Sequence, residues 1–213
     1  MNQPLLTGKF FIPPISSNRL SRLRLLEQLD RGLADENRLI LVCAPAGYGK
    51  TTLVSEWVRR LQENTELKGP AVAWISMDEA DNDTVRFFSY LAAAIQQAVP
   101  NFEAPLPALL AAPQPYEFRT LLSTFLNALA ALQTPLLIVL DDFQLIQSAE
   151  IQEGVGFFLD HLSPGIHLLL ASRVDPPVPL HRYRARGQLV EVRASDLRFT
   201  EPEILAFIRV WAD

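Results

Sequence analysis

The segment from residue 39 to residue 52 constrains the fold of this chain more than any other. LILVC (39–43) is an uninterrupted apolar run, typical of a strand buried on both faces of a parallel sheet. APAGYGKTT (44–52) follows it, and an amphipathic helix is predicted from there to about residue 62. A glycine-bearing loop between a buried strand and a helix can surround phosphate groups with backbone N–H groups, and the helix N-terminus adds positive potential. We therefore predict a phosphate-binding loop of the G-x-x-x-x-G-K-[ST] type, formed by Ala46, Gly47, Tyr48, Gly49, Lys50, Thr51 and Thr52.

This loop departs from the usual pattern at one position, because Ala44 stands where the first glycine is expected. The following Pro45 restricts Ala44 to extended conformations, which alanine adopts without a steric penalty. Gly47 and Gly49 remain at the positions nearest the phosphates. We therefore expect a working site, and the alternative is an ordinary turn with an exposed lysine.

A second apolar run, at residues 136–140, ends on Asp141 and Asp142. An acid at the end of such a strand holds Mg²⁺ beside a phosphate loop in P-loop proteins, and the lysine of the loop reaches the terminal phosphates. We predict that Asp141 and the Thr51 hydroxyl bind Mg²⁺, while Lys50 contacts the phosphates. Asp142 is a candidate general base that would polarise an attacking water. The alternative is a core strand that ends in two solvated carboxylates.

A third apolar strand, predicted at residues 166–171, leads into Ser172 and Arg173. An arginine at the C-terminal end of a strand that neighbours the acid strand can sense the γ-phosphate or stabilise transferring charge. We therefore predict a catalytic role for Arg173. The alternative is an ordinary arginine in a salt bridge.

Apolar strands alternate with amphipathic helices along the chain, and this alternation predicts βαβ units. The predicted strands are 39–43, 71–76, 136–140, 166–171 and 189–192, and the predicted helices are 19–33, 50–62, 83–99, 117–132 and 150–161. The fold class is α/β, a three-layer P-loop NTPase fold whose five-stranded, mostly parallel sheet has helices on both faces. We expect an extended N-terminal arm at 1–18, the P-loop domain at 19–195, and at 196–213 the start of a helical segment that continues in a longer protein.

Composition limits the partners and the compartment. The chain has 213 residues, a formal net charge of -5 and a single cysteine. The acidic balance argues against this segment gripping nucleic acid on its own, because backbone binding needs clustered lysine and arginine. A single cysteine suits a reducing compartment, and the sequence has neither a signal peptide nor an apolar run of about 18 residues. We expect a cytoplasmic protein without a membrane segment.

Four segments in combination resemble the nucleotide-binding domain of MalT-like regulators, which are LuxR-type transcriptional activators in the STAND class of ATPases. The segments are APAGYGKTT (44–52), AWISMDEADN (73–82), VLDDF (139–143) and ASR (171–173). The opening PLLTGKF (4–10), residues 182–189 and LRFT (197–200) also resemble this family. The resemblance therefore covers nearly the whole chain.

The resemblance implies a fold of the ASCE type, in which the strand ending at Ser172-Arg173 is inserted between the loop strand and the acid strand. It implies ATP and ADP as ligands, with Mg²⁺, and it places Arg22 near the adenine. Ala44 falls where this family commonly lacks the first glycine of the loop. In the family, ATP with an inducer favours self-association and slow hydrolysis resets the switch. DNA and inducer would be bound only by segments absent from this chain.

Several alternatives stay open at this point. The chain could be a P-loop metabolic kinase or another ATP-dependent turnover enzyme, or an oligomerisation module that binds nucleotide without hydrolysing it. A GTPase is disfavoured, since the guanine motif Asn-Lys-x-Asp does not occur. Asp78, Asp81 and Asn82 could line the phosphate end of the site or cap the next helix. The basic run from Arg182 to Arg186 could contact nucleic acid, another subunit or nucleotide, or form a solvated face.

Overall fold

A computed structural model describes residues 5–16, 20–34, 37–63, 69–103 and 117–212. The first residues of the predicted arm, the predicted domain boundary at 18–19 and most of the proline-rich connection at 100–116 lie outside the described residues.

The described elements alternate between strands and helices in chain order. The strands are β1 (Leu39–Cys43), β2 (Ala71–Ser76), β3 (Leu136–Asp141), β4 (Ile166–Ser172) and β5 (Leu189–Arg193). The helices are α1 (Leu23–Ala34), α2 (Lys50–Glu63), α3 (Thr84–Ala98), α4 (Phe118–Ala130), α5 (Ala149–His161), α6 (Leu180–Ala185) and α7 (Glu201–Ala212). Short 3-10 helices cover Thr7–Phe10, Glu79–Asn82 and Phe143–Leu145.

The five strands form one sheet in the order β2-β3-β4-β1-β5, and every neighbouring pair is parallel. Strand β4 therefore lies between the loop strand β1 and the acid strand β3, as the family resemblance implies. All residues of β1, β3 and β4 are buried, which agrees with their continuous apolar runs. The predicted α/β fold with a parallel sheet is confirmed.

Two hydrophobic cores cover the two faces of the sheet. Leu39 and Leu41 of β1 belong to the core that includes α3, α4 and α5, whereas Ile40 and Val42 belong to the core that includes α1 and α2. Successive side chains of a strand point to opposite faces, so one short strand contributes to both cores. Because these strands are parallel, the carboxyl ends of β1, β3 and β4 lie at the same edge of the sheet, where the phosphate loop begins.

The N-terminal arm differs from the prediction of an extended segment. It contains the 3-10 helix Thr7–Phe10, which packs near β2, and Lys9 within that helix is buried. Helix α1 begins at Leu23, because residues 20–22 precede it without helical structure and the Arg22 carbonyl accepts the first hydrogen bonds of the helix. The arm is therefore anchored beside β2.

Candidate functional site

The phosphate loop connects the end of β1 to the start of α2, and its first residue continues the strand. The backbone N–H of Ala44 donates to the carbonyl of Ser172 at 3.2 Å, and Ala44 is 2% exposed. Ala44 is not among the residues with positive φ. The strand exit therefore uses a backbone conformation open to alanine, and the missing glycine leaves the loop intact.

The two glycines of the loop are required by their backbone conformation. Gly47 has φ 83° and Gly49 has φ 77°, the left-handed region that side chains rarely adopt. A Cβ atom at either position would meet no atom within 4 Å. Space around these two residues is therefore not limiting, and the constraint lies in the turn that directs backbone N–H groups of the loop.

Lys50 opens helix α2 and is buried, with 7% of its surface exposed. Its Nζ donates to the carbonyl of Pro45 at 3.2 Å, and in the described part of the chain no salt bridge joins it to a carboxylate. Burial lowers the pKa of Lys50, and the nearby charge of Asp142 opposes that change. A buried ammonium group without a paired carboxylate is suited to bind an anion at the loop.

Thr51 and Asp141 bring oxygen atoms together beside Lys50. The Thr51 hydroxyl donates to the Asp141 carboxylate, and the hydroxyl oxygen lies 2.9 Å from Oδ2 and 3.1 Å from Oδ1. Asp141 is 3% exposed, and burial raises the pKa of its carboxyl although the hydrogen bond from Thr51 opposes this. A hydroxyl and a carboxylate are the ligand types that Mg²⁺ accepts beside phosphate oxygens and water, so these residues fit the predicted magnesium pair.

Asp142 has an unusual backbone conformation, with φ 55° and ψ 38°. It is the one residue other than glycine with positive φ in the described ranges. Its N–H donates to Oδ1 of Asp141 at 3.0 Å, and its own Oδ1 accepts a hydrogen bond from Nε2 of Gln144 at 2.7 Å. Strained backbone of this kind is concentrated at functional sites, where it aims a side chain.

Arg173 follows β4 and is exposed at the same edge of the sheet. After burial and Asp142, its charge is the next largest influence on the pKa of Lys50, and it acts to lower that pKa. The salt bridges of the described residues do not include Arg173, in contrast to the alternative of an ordinary paired arginine. Its guanidinium is therefore available near the loop lysine.

A cavity of 620 Å³ adjoins the phosphate loop on the side of α7. Its walls combine residues of the loop and α2 with a C-terminal segment. They are Leu20, Arg22, Gly47, Tyr48, Gly49, Thr52, Leu53, Glu56, Leu197, Arg198, Phe199, Ile204 and Phe207. The predominance of apolar walls next to a phosphate loop fits the base and sugar of a nucleotide.

Comparison with known proteins agrees with this geometry. Residues 18–171 match the family described as the AAA ATPase domain, a match that spans more than half of the chain. The chain belongs to the AAA ATPase domain family. The HTH-type transcriptional regulator MalT of Klebsiella pneumoniae is similar to this AAA ATPase domain, with 36% identity over 203 residues. The aligned region is 95% of this chain and 21% of that regulator, so the chain spans about a fifth of the relative's length.

Solved structures also resemble this AAA ATPase domain. Cdc6p from Pyrobaculum aerophilum has a TM-score of 0.60 and 16% identity, and the likeness covers 98% of this chain and 53% of that chain. A Drosophila ORC structure bound to DNA has a TM-score of 0.55 and 13% identity, covering 96% of this chain and 48% of that chain. At such low identity these likenesses show the fold alone.

Arg22 lies in the wall of the AAA ATPase domain's cavity, but most of its polar contacts are internal. Its guanidinium donates to the carbonyls of Leu197, Arg198 and Asp196 at 2.7, 2.8 and 3.2 Å. It also lies over the ring of Phe199, 4.8 Å from the centroid. Arg22 therefore connects the start of α1 to the segment before α7, and its predicted contact with adenine stays a prediction.

The polar residues after β2 form a cap and an anchor. The Asp78 side chain accepts from the N–H of Ala80 in a capping box with Asp81, and Asp81 pairs with Lys9 of the arm. Asn82 donates to the carbonyl of Leu145 at 2.8 Å. The structure thus supports the capping alternative for these residues.

The basic run forms salt bridges with neighbouring carboxylates. Arg182 pairs with Asp160 and Arg184 pairs with Glu191 on an exposed face.

The helices of the described segments are all too short or too polar to cross a membrane.

Sequence reasoning missed two parts of the site. The cavity wall contributed by Leu197, Phe199 and α7 was not predicted, because apolar residues in a segment do not distinguish a cavity wall from ordinary packing. Gln144 was not singled out, and a lone amide in a turn after the acid strand carries no sequence signal of its own.

Proposed function

We propose that this chain is the ATP-binding and slowly hydrolysing switch domain of a MalT-like transcriptional activator, with its nucleotide state controlling self-association. One observation carries the proposal: the buried Lys50, which has no carboxylate partner in the described residues, adjoins the Thr51–Asp141 pair at the end of a phosphate loop. Groups of these kinds bind a nucleoside triphosphate with magnesium in P-loop proteins, which supports the same role here.

The residues divide the nucleotide between two regions. Backbone N–H groups of 46–52 would surround the phosphates, and Lys50 would bind the terminal ones. Adenine and ribose would occupy the 620 Å³ cavity beside Tyr48 and Thr52. Thr51 and Asp141 would hold Mg²⁺, which neutralises charge on the phosphate oxygens when bound.

Hydrolysis would use Asp142 and Arg173. Asp142 would accept a proton from a water molecule as the water oxygen forms a bond to the γ-phosphorus. The bond between that phosphorus and the bridging oxygen would break, which yields ADP and inorganic phosphate. Arg173 would stabilise negative charge on the transferring group. The strained backbone of Asp142 supports the first role, and the second is supported by the guanidinium of Arg173, which forms no salt bridge with the residues that the structure describes.

The switch function rests on similarity to MalT, whose name describes an HTH-type transcriptional regulator. Because the chain covers 21% of that regulator, binding of DNA and of an inducer would belong to other segments of a longer protein. Self-association in the ATP state would then be the output of this domain.

Isothermal titration of nucleotide-stripped, folded protein with ATP and Mg²⁺ tests the proposal, and the absence of binding would sink it. Sedimentation with ATP and with ADP tests the switch, which requires different association states. Asp142→Asn should leave binding intact and slow hydrolysis to a low, still measurable residual rate; unchanged turnover would remove Asp142 as the base. Steady turnover above about 1 s⁻¹ with a small-molecule acceptor would instead favour a metabolic kinase.

A further inference from the structure

Gln144 forms a bridge between the two residues that we propose for hydrolysis. It lies in the 3-10 helix Phe143–Leu145, directly after β3. Its Nε2 donates to Oδ1 of Asp142 at 2.7 Å, and its Oε1 accepts from the backbone N–H of Arg173 at 3.0 Å. One half-buried side chain thus joins the end of the acid strand to the end of β4.

The chemistry of the two partners fixes the orientation of this amide. The Asp142 carboxylate only accepts hydrogen bonds when it is ionised, and the Arg173 N–H only donates. The NH₂ group of Gln144 must therefore face Asp142 and the carbonyl oxygen must face Arg173. If the amide were flipped, its oxygen would face the Asp142 carboxylate, so that two acceptors would meet. Its NH₂ group would then face the backbone N–H of Arg173, so that two donors would meet. The bridge therefore has one stable arrangement.

The bridge complements the constraints already acting on Asp142. Its backbone is held in the left-handed region, and its N–H is bonded to Asp141. These contacts fix the backbone of Asp142 and therefore the position of its Cβ atom. The carboxylate can still rotate about the side-chain bonds. The hydrogen bond from Gln144 restrains that rotation, and a general base must be held within hydrogen-bond reach of the proton it takes.

We propose that Gln144 is a positioning residue for ATP hydrolysis, which holds the Asp142 carboxylate in line with the attacking water and ties it to the strand end that carries Arg173. The inference rests on the proposed function, because it requires hydrolysis at this site. Gln144 itself contacts neither phosphate nor Mg²⁺ in this proposal. Its removal should therefore reduce the rate of hydrolysis and leave nucleotide affinity almost unchanged.

Gln144→Met is the principal test, since methionine has a similar length and neither a donor nor a hydrogen-bonding amide. Single-turnover hydrolysis with protein in excess over ATP should slow by about tenfold, the effect of losing one hydrogen bond to a charged group. The dissociation constant for ATP with Mg²⁺, measured by titration, should stay within about twofold of the original. Gln147→Met, at an exposed glutamine of the same turn region, is the matched control and should hydrolyse at the original rate.

Two further variants separate positioning from packing. Gln144→Glu keeps the shape and the acceptor for Arg173 but faces Asp142 with an acceptor, so the rate per bound ATP should fall at least as far as in Gln144→Met. In an Asp142→Asn background, Gln144→Met should cause no additional loss, because its effect passes through the Asp142 carboxylate. A packing role would instead leave Gln144→Glu close to the original rate and would add to the Asp142→Asn loss.

The outcomes distinguish this inference from the proposed function. Original single-turnover rates in both Gln144 variants would overturn the inference, as would a loss of affinity with an unchanged rate per bound ATP. A protein that binds ATP but never hydrolyses it overturns the role of Gln144 and leaves nucleotide binding standing. A folded protein that binds no ATP overturns both. Thermal unfolding of each variant identifies any loss that comes from misfolding.

Discussion

Lys9 and Lys50 are both buried lysines, with 8% and 7% of their surfaces exposed, yet their surroundings differ. Lys9 pairs with Asp81 and with Asp78, the latter at 2.7 Å, and its Nζ lies 4.7 Å from the centroid of the Tyr90 ring. Lys50 donates to the carbonyl of Pro45 at 3.2 Å. The ammonium group of Lys9 is paired within the fold, whereas that of Lys50 has no carboxylate partner among the described residues.

The difference separates an anchor from a binding site. A buried charge needs a partner, because removing it from water is unfavourable. At Lys9 the fold supplies the partners itself, and the arm is fixed to the region after β2. At Lys50 the fold supplies a backbone carbonyl, and burial lowers the pKa of the lysine because its charge is removed from water. A bound anion would stabilise the charged form. Four predictions test this comparison.

The largest effect is expected on stability when the anchor is broken. Lys9→Met leaves the Asp81 carboxylate, which is 0% exposed, with Arg86 as its remaining ion-pair partner at 3.2 Å. The free energy of unfolding should fall by about 3 kcal/mol, as measured by denaturant titration. ATP affinity should not change.

Arg60→Met is the control for that prediction, since Arg60 pairs with Asp30 at the surface and its side chain is 46% exposed. It should lower the free energy of unfolding by less than about 1 kcal/mol. Equal effects of the two substitutions would contradict the role of Lys9 as an anchor.

The next effect is expected on affinity, at the other lysine. Lys50→Met removes the charge that we propose for binding the terminal phosphates, so the ATP affinity measured by titration should fall by about 100-fold, or about 2.7 kcal/mol. The thermal midpoint without nucleotide should stay the same or rise, because a buried charge without a carboxylate partner is replaced by an apolar side chain. A large loss of stability without a loss of affinity would reverse the comparison.

A smaller effect is expected for the backbone that presents Lys50. Ala44→Gly should lower the free energy of unfolding by about 0.5 to 1 kcal/mol, because glycine loses more chain entropy at a position that needs no positive φ. ATP affinity should not improve. Gly49→Ala, at φ 77°, should cost about 1 to 2 kcal/mol and weaken ATP binding. Tighter ATP binding in Ala44→Gly would show that the loop does require its first glycine.

The smallest effect is expected on the pH dependence of stability, at His167. This histidine is buried, and burial favours its neutral form. Burial lowers the pKa of His167, while its hydrogen bond to the Asn37 carbonyl at 2.6 Å opposes this. The unfolded chain therefore takes up a proton more readily, and this residue's contribution makes stability fall as pH drops below about 6.5. His167→Gln should flatten that part of the stability profile measured by denaturant titration.

The sequence predicted much of the fold from local patterns. The run LILVC followed by APAGYGKTT predicted a buried strand, a phosphate loop and a helix, and all three are present. The backbone agrees with the argument that Ala44 needs no glycine, because Ala44 is not among the residues with positive φ. The position of β4 between β1 and β3 came from the family resemblance and is also confirmed. Roles of Asp142 and Arg173 in catalysis stay predictions.

The rest depended on contacts between residues far apart in the chain. Whether Asp81 faced the phosphates or the arm could not be read from AWISMDEADN, because its partner Lys9 lies 72 positions away. Arg22 was assigned to adenine, yet its guanidinium binds the carbonyl of Leu197, 175 positions away. A sequence pattern records what a residue is, and an arginine or a lysine is equally suited to a ligand and to an internal partner.

The sequence by itself determined the parallel α/β architecture, the phosphate loop and the acids at the end of β3, because apolar periodicity and glycine placement act within one or two elements. Only the tertiary structure decided which buried lysine is paired, which residues wall the cavity, and that Gln144 joins Asp142 to Arg173. These depend on where separate strand ends meet. The side chains that lie near a buried charge determine whether the fold itself pairs with it or leaves it available to a ligand.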